Sequence, residues 1–567
     1  MTLPAIPNLS RRRFLSGASA VGLAGLAPSP FIGRAFARAC PWKPDKWGSL
    51  EKELYGQLLR PEDSRFAGFA APFNLVYETQ KPAAIALCAN RADVETAVKW
   101  AAANRDVWAG QSDARVVVRS GGHSYAGYSS GPGLMIDVSQ LKRYSWDSTR
   151  TRLTVECGAR NGDVYNILRA ENRALTHGRC PTVGIAGFLL GGGIGFNMRL
   201  HGVGSDRLLA STIVTANGET LNVSAEENED LFWACRGGGG GNFGINTSFT
   251  LDTVAADDRL TVFKLLSKLP RERALKVIVD LMAALDAGDP RLGSRFKFSR
   301  DYDCDNVNID LIGQFHGGVP DVRRLLSNFL KETAESEITE MSYWEGQEAL
   351  LDWEGPFRFT ERSAFLKVNL DEAAVRTALE GLWTMEPSSD EAFARDKPPN
   401  VRFFQTGGRM NDIAPADTAF VHRNSKWLMD FGLPWSADDD KDPAKKNRNR
   451  AALNAMFDHM LQYTTRGSYQ NFADPDLADK NFADKTLADT NLADKDAQNP
   501  QPLDWPTAYY GDNYQRLAYI KYKYDQNEFF KFKQSIRPMP PPTPPGLRPM
   551  QLVPPPGLHP MVHSQGG

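Results

Sequence analysis

A chain of 567 residues is too long for one ordinary core and sets the expectation of two or more domains. Its 42% hydrophobic and 24% charged residues are the proportions of a globular protein, and 66 basic against 68 acidic side chains leave a formal charge of -2. That balance excludes the strongly basic character a polyanionic partner calls for, so nucleic-acid binding is not expected. Six cysteines are too sparse for a disulfide scaffold, although one bridge could form. Neither they nor the eight scattered histidines have metal-ligand spacing, so no metal site is expected.

In chain order, Ser10-Arg11-Arg12-Arg13-Phe14-Leu15 precedes an apolar run of small residues from Gly17 to Pro28, with Ala35-Phe36-Ala37 or Ala37-Arg38-Ala39 as a cleavage site. Residues 1–39 therefore read as a twin-arginine export signal. The run is too short and too rich in Gly, Ala and Pro to be a stable membrane span. A periplasmic or secreted protein is expected, exported folded with its cofactor aboard by the twin-arginine machinery.

From Lys81 the pattern predicts a strand (Ala83 to Leu87), an amphipathic helix (Val94 to Ala103) and a buried strand, Val116-Val117-Val118, that runs into a glycine pair. Leu134 to Val138 and Arg152 to Glu156 read as strands, Gly162 to Glu171 as a helix, and Ile213 to Ala216 as a strand turned by Asn217-Gly218. This is the texture of an α+β nucleotide-binding domain built from two subdomains. The runs Gly187 to Gly195 and Arg236 to Gly244 present backbone N–H groups free of side chains, which suits a pyrophosphate. Their flanks are tightly apolar, unlike a linker.

Beyond Thr261 the texture changes. Helices are predicted at Arg273 to Leu285 and Pro320 to Thr333, and alternating strands at Ser294 to Ser299, Val307 to Gln314, Val401 to Thr406 and Lys426 to Phe431. They predict a second domain, an antiparallel sheet covered by helices. Asn471-Phe472-Ala473-Asp474-Pro475 then opens a five-residue repeat ending at Lys495, too short for a solenoid and expected to be a duplicated surface loop. Trp505 to Lys523 returns to globular character, and the proline-rich stretch from Arg537 is expected to be disordered. The expected plan is thus a signal (1–39), a cofactor domain (40–255), a substrate domain (256–470), a repeat insertion (471–500), a C-terminal segment returning to the cofactor domain (501–536) and a tail (537–567).

Chemistry concentrates in two stretches, Arg119-Ser120-Gly121-Gly122-His123-Ser124 and Gly178-Arg179-Cys180-Pro181-Thr182-Val183-Gly184. Glycine pairs let backbone approach a flat ligand, and each stretch delivers one nucleophile. With Asp230-Leu231-Phe232-Trp233, Tyr509-Tyr510-Gly511-Asp512-Asn513, Tyr524-Asp525 and Gln534-Ser535-Ile536, these motifs resemble the berberine bridge enzyme-like branch of the vanillyl-alcohol oxidase superfamily, of the exported bacterial type. The resemblance spans Ala71 to Ile536 apart from the repeat.

It implies an FAD-linked oxidase with a flavin domain of the p-cresol methylhydroxylase type. His123 would bind the flavin 8α-methyl and Cys180 the ring C6, a bicovalent attachment that an exported protein cannot lose. Arg119, Ser120, Gly121, Gly122, Ser124, Val183, Gly184, Gly187, Gly191, Gly192, Gly244, Ile245 and Asn513 would line the cofactor. Val183 stands where the family's valine is associated with oxygen reactivity. Tyr509 matches the catalytic tyrosine and Asp430 the acidic residue that assists it, while Tyr125 and Arg409 are further pocket candidates. A tyrosine with a pKa near about 10 is a poor base, and an ionised neighbour raises it further, so Asp430 would have to help by orientation or proton acceptance.

The expected reaction removes two electrons and two protons from an alcohol carbon and delivers them to O2, with a sugar lactol as the first substrate class. Oxidation of a secondary metabolite, a dehydrogenase using another acceptor, and a flavin-binding surface module without turnover are the alternatives.

Overall fold

Three sheets carry the chain in the computed structural model, which describes residues 46–110, 112–477 and 503–540. The residues read as an export signal, the repeat units beyond Leu477 and the stretch beyond Pro540 lie outside the described residues.

The first sheet holds β1 (Gln57–Leu59), β2 (Ala84–Leu87), β3 (Arg115–Arg119) and β4 (Gly133–Asp137) in the order β1-β2-β4-β3, with β2, β4 and β3 parallel. Central strands of such a sheet are covered on both faces, which is why β2 reads Ala-Ile-Ala-Leu without a polar residue. Helix Arg91–Ala103 crosses between β2 and β3 and starts where the Asn90 side chain accepts the Asp93 amide. The second sheet is antiparallel: β5 (Tyr144–Trp146), β6 (Arg152–Glu156), β8 (Leu208–Val214), β9 (Thr220–Ser224) and β10 (Ile245–Asp252), in the order β5-β6-β10-β8-β9. A short pair, β7 (Arg173–Ala174) and β11 (Val254–Ala255), flanks it.

The third sheet is antiparallel and seven-stranded: β12 (Arg259–Leu269), β13 (Leu292–Arg300), β14 (Val307–Phe315), β15 (Glu335–Ser342), β16 (Arg358–Leu366), β17 (Asn400–Gln405) and β18 (Trp427–Trp435), in the order β15-β12-β14-β13-β17-β18-β16. Alternation sorts its residues. Phe296, Phe298, Phe403 and Trp427 meet as an aromatic cluster with rings 4.7 to 6.3 Å apart, on the face carrying helices Arg271–Asp286, Glu372–Thr384 and Pro443–Met460. The interleaved Arg295, Arg402 and Phe404 point the other way, into a cavity shared with the first two sheets.

The α+β reading and the helix-covered antiparallel sheet are borne out. One boundary is corrected. The first repeat unit, Asn471 to Pro475, is no surface loop: Ala473 and Asp474 are buried, and Asp474 forms a salt bridge of 2.8 Å with buried Arg362. Its apolar second residue and its aspartate answer to contacts with the rest of the fold. Among the described residues all five cysteines are free, and no helix is long and apolar enough to cross a membrane.

Candidate active site

A cavity of about 370 Å3 runs between the glycine-rich loops of the first two sheets and the open face of the third. Strand β3 ends at Arg119, so Gly121-Gly122-His123 emerges from its carboxyl end, where parallel sheets leave a crevice for ligands. The loop meets the second motif backbone to backbone, because a Cβ at Gly121 would lie 2.2 Å from the Gly184 nitrogen. That contact places His123 beside Cys180. The Thr182 hydroxyl stands 2.9 Å from His123 Nε2 and 3.2 Å from Cys180 Sγ, touching both nucleophiles. The His123 ring stacks on Phe73 at 4.0 Å. Burial, then the charges of Arg160 and Arg119, depress its pKa to about 4, so the imidazole is neutral and its lone pair available at neutral pH.

Ser120, Gly121, Gly122, His123, Ser124, Cys180, Val183, Gly184, Gly187, Gly244, Ile245 and Tyr509 all line the cavity. Other predicted residues do not. Gly191 is pressed against the Asn471 side chain and Gly192 against Phe420, so their small size serves packing. Arg119 donates to the Ala71 carbonyl and faces Asp137 at 3.9 Å. Asn513 Nδ2 donates to the carbonyls of Pro415 (2.8 Å) and Thr418 (3.0 Å), anchoring a loop. Arg409 is 57% exposed and pairs with Asp412 on the surface.

The catalytic assignment changes too. Asp430 is fully buried beneath the cavity wall and grips Arg402 at 2.5 Å, and Glu361 grips the same guanidinium at 2.9 Å. Asp430 therefore reaches the cavity only through Arg402, whose side chain lines it. Tyr509 is on the wall, but its oxygen accepts the Asp474 amide (2.8 Å) and its hydroxyl donates to Gln534 Oε1 (3.2 Å). Gln534 in turn donates to the Asp474 carbonyl at 2.7 Å, closing a structural ring. Burial, reinforced by Asp474, raises the Tyr509 pKa well above 10. This phenol clamps the 471–477 segment.

Tyr125 is differently placed. It follows His123 by two residues and stacks flat on Phe472 at 4.9 Å, and no hydrogen bond from its hydroxyl to a described residue is formed. Burial and the Glu361 carboxylate raise its pKa, while Arg402 pulls it down. It was the weaker candidate in the sequence, and the geometry promotes it. Arg402, Phe404, Tyr469 and Phe472 were missed. The i, i+2 spacing of Arg402 and Phe404 on a predicted strand was the available signal, whereas Phe472 was hidden by the repeat pattern.

Two family models match: an FAD binding domain over residues 82–224 and "Berberine and berberine like" over residues 468–537. An uncharacterised FAD-linked oxidoreductase of Bacillus subtilis is 27% identical over 501 residues, 86% of this chain and 99% of the relative. The glucooligosaccharide oxidase of Sarocladium strictum is 27% identical over 482 residues, 81% of this chain and 88% of the relative. Among solved structures, berberine bridge enzyme-like 28 of Arabidopsis thaliana superposes with a TM-score of 0.72 at 25% identity, covering 85% of this chain and 98% of that one. The berberine bridge enzyme of Eschscholzia californica has the same fold, with a TM-score of 0.73 at 23% identity over 87% of this chain and 99% of that one.

The chain is berberine bridge enzyme-like in both matched segments and in fold. It is an FAD-linked oxidoreductase. The second match also includes Asn471 to Leu477, in keeping with their place in the wall.

The cavity fits the flavin nucleotide of a berberine bridge enzyme-like protein. A Cβ on Gly187 would meet nothing within 4 Å, and one on Gly240 or Gly241 would find its nearest neighbour at 3.8 or 4.0 Å. Gly187 and Gly240 face a space rather than packed neighbours, and Gly241 does so in a left-handed conformation (φ 72°). Tyr128 OH, Ser129 Oγ, Asn161 Oδ1 and Gln470 Oε1 on the same wall are buried without hydrogen-bond partners, a cost that a polar ligand removes. The Gly239-Gly240-Gly241 loop is held from behind. Asn242 Nδ2 donates to the Gly238 carbonyl (2.9 Å), and the buried Lys521 ammonium binds the Asn242 carbonyl, Asp525 and the Phe530 carbonyl.

Proposed function

We propose that this oxidoreductase oxidises an alcohol or lactol carbon of a sugar to the carbonyl level, with FAD attached through both His123 and Cys180 and with O2 as the electron acceptor. The observation that carries the reading is the Tyr125 hydroxyl, open to the cavity two residues after the attachment histidine and beside Arg402. Bound FAD supplies an acceptor for the hydride that leaves the substrate carbon. Tyr125 hydrogen-bonds the substrate hydroxyl and, as the phenolate, takes its proton and becomes the neutral phenol. Arg402 stabilises the phenolate before that transfer, and Asp430 and Glu361 fix the guanidinium for that task. O2 finally takes up the two electrons and two protons as H2O2, for which Val183 on the cavity wall is the supporting residue.

Attachment at two points is supported by the shared contact of His123 and Cys180 with Thr182. Sugar as the substrate class is supported by the glucooligosaccharide oxidase among the relatives. Export of the loaded protein through the twin-arginine route is proposed from Ser10 to Leu15.

Anaerobic stopped-flow mixing of the yellow protein with a panel of neutral and acidic sugars, alcohols and alkaloids tests the reaction. Bleaching by a reducing sugar is expected, and a flavin bleached only by the non-sugar members sinks the substrate class. Acid precipitation tests attachment: the colour is expected in the pellet for wild type and for Cys180→Ala, and in the supernatant for the double His123→Ala/Cys180→Ala variant.

A further inference from the structure

The open face of the third sheet carries charge in rows set by strand register. Asp310, Lys297, Arg402 and Asp430 are successive cross-strand partners on β14, β13, β17 and β18. Opposite charges at both ends of that row satisfy each other: Lys297 meets Asp310 at 3.7 Å and Arg402 meets Asp430 at 2.5 Å. The next row is different. Arg295 stands between Ile312 and Phe404, both apolar, so register gives its guanidinium no carboxylate directly across either strand.

The outcome is a buried cation with one long ion pair and no hydrogen bond among the described residues. Arg295 is 8% exposed, its Nε is buried without a partner, and its guanidinium makes no hydrogen bond to any described residue. Its nearest anion is Asp310 at 3.5 Å, too long for a hydrogen bond. The acidic residues that line the cavity on this side are engaged elsewhere: Asp352 with Arg179 at 3.0 Å and Glu354 with Lys397 at 3.3 Å. Arg402 is held by its two carboxylates. A buried guanidinium whose Nε has no acceptor and whose one ion pair, with Asp310, is long leaves donors that a ligand can complete. Its planar fork matches the two oxygens of a carboxylate.

We propose that Arg295 is a specificity-determining residue that seats a carboxylate of the substrate, so that the substrate class is a sugar acid bearing both an oxidisable lactol and an acidic group. The proposal rests on the sugar-oxidising reading above, and it adds a charge requirement which that reading lacks.

The test titrates the flavin-loaded protein with D-glucuronate and with its neutral methyl ester, following the perturbation of flavin absorption for binding and anaerobic bleaching for reaction. Glucuronate is expected to bind roughly 10- to 100-fold more tightly than the ester, the range for a hydrogen-bonded charge. Arg295→Met is expected to abolish that preference and Arg295→Lys to restore part of it, with near-ultraviolet circular dichroism verifying that both variants fold. Equal affinity for acid and ester in the wild type, or a preference that survives Arg295→Met, overturns the proposal. It is equally overturned if Arg295→Met shifts the ligand-free flavin spectrum yet leaves the acid-to-ester ratio intact, which places Arg295 on the cofactor. Preferential binding of the acid without bleaching keeps the carboxylate seat and removes the lactol-oxidising reading. Bleaching by acid and ester with equal affinity does the reverse, and binding of neither removes both.

Discussion

The two walls of the cavity solve opposite problems. The loop wall, built from Gly121, Gly184, Gly187 and the Gly239 to Gly241 run, removes side chains and keeps its single histidine neutral. The sheet wall crowds charges together, with Arg402 between Asp430 and Glu361 and Arg295 left over. One wall is shaped to receive a large planar group and the other to manage protons and charge. The residues that hold a cofactor and those that act on a substrate can therefore be separated by substitution.

The largest expected effect tests that separation at Tyr125. Tyr125→Phe is expected to slow substrate-driven flavin reduction by roughly 100- to 10,000-fold, the usual contribution of a general base, while the colour still precipitates with the protein. Because the phenol pKa lies above 10, the residual pH dependence of wild type is expected to rise with pH without levelling off below about pH 10. Tyr509→Phe is expected to do the reverse: reduction stays fast, and stability falls by about 1–3 kcal/mol because the Asp474 amide and Gln534 lose a buried partner. If the two variants exchange phenotypes, the sequence-based choice of Tyr509 is restored.

Next comes the charge cluster. Burial and the neighbouring Asp430 push Glu361 well above the ordinary carboxylate range, so the pair carries less than two negative charges near neutrality. Asp430→Asn lets Glu361 ionise in compensation, and Glu361→Gln leaves Asp430 to hold Arg402. Each single change is expected to cost little, whereas the double change strands a buried guanidinium and costs about 3–5 kcal/mol. Urea unfolding of all four proteins gives the coupling directly, and additive single effects break the account.

Buried histidines and Glu361 titrate in opposite senses. Burial lowers the pKa of His177 to about 4 and that of His422 to about 3. The unfolded chain takes up these protons near pH 6.5 and the fold refuses them, so stability is lost as pH falls from about 6.5 toward 4. Glu361 behaves inversely. Its folded pKa is raised, so the fold keeps a proton that the unfolded chain releases above pH 4.5, and stability is lost as pH rises from there through the folded value. Thermal melts of wild type against Glu361→Gln are expected to diverge progressively as pH rises from about 4.5 through about 8.

How much of this was legible beforehand differs between the walls. The loop wall follows from contiguous motifs, because Gly121-Gly122-His123 and Cys180 to Gly184 each carry their chemistry within a few residues. The sheet wall is made by register. Nothing in the spacing of Arg402 and Asp430 along the chain says that they are cross-strand neighbours, or that Arg295 falls opposite Ile312 and Phe404. Tyr509 was favoured as one of a tyrosine pair in a family-like motif, yet only the fold reveals that its oxygen is taken. The period-five pattern after Asn471 likewise masked Phe472, since sequence periodicity carries no information about burial against distant strands.

The smallest effect sharpens the loop wall itself. Among the described residues Thr182 is the one side chain touching both His123 Nε2 and Cys180 Sγ, and its hydroxyl can donate to only one of them at a time. With His123 neutral, a donor at Nε2 fixes the tautomer with its proton on Nδ1, and a hydroxyl that turns toward sulfur instead frees that nitrogen. Thr182→Val keeps the β-branched shape and removes the choice, at a stability cost of about 1 kcal/mol for one lost hydrogen bond. Because valine leaves both nucleophiles in place, covalent colour is expected to form more slowly while its final amount is unchanged, as read by timed acid precipitation after adding FAD to flavin-free protein. A final yield that falls with the rate would mean that Thr182 holds the loop rather than orients the histidine, and Thr182→Ser, which restores the hydroxyl without the methyl, distinguishes the two by recovering the rate only in the second case.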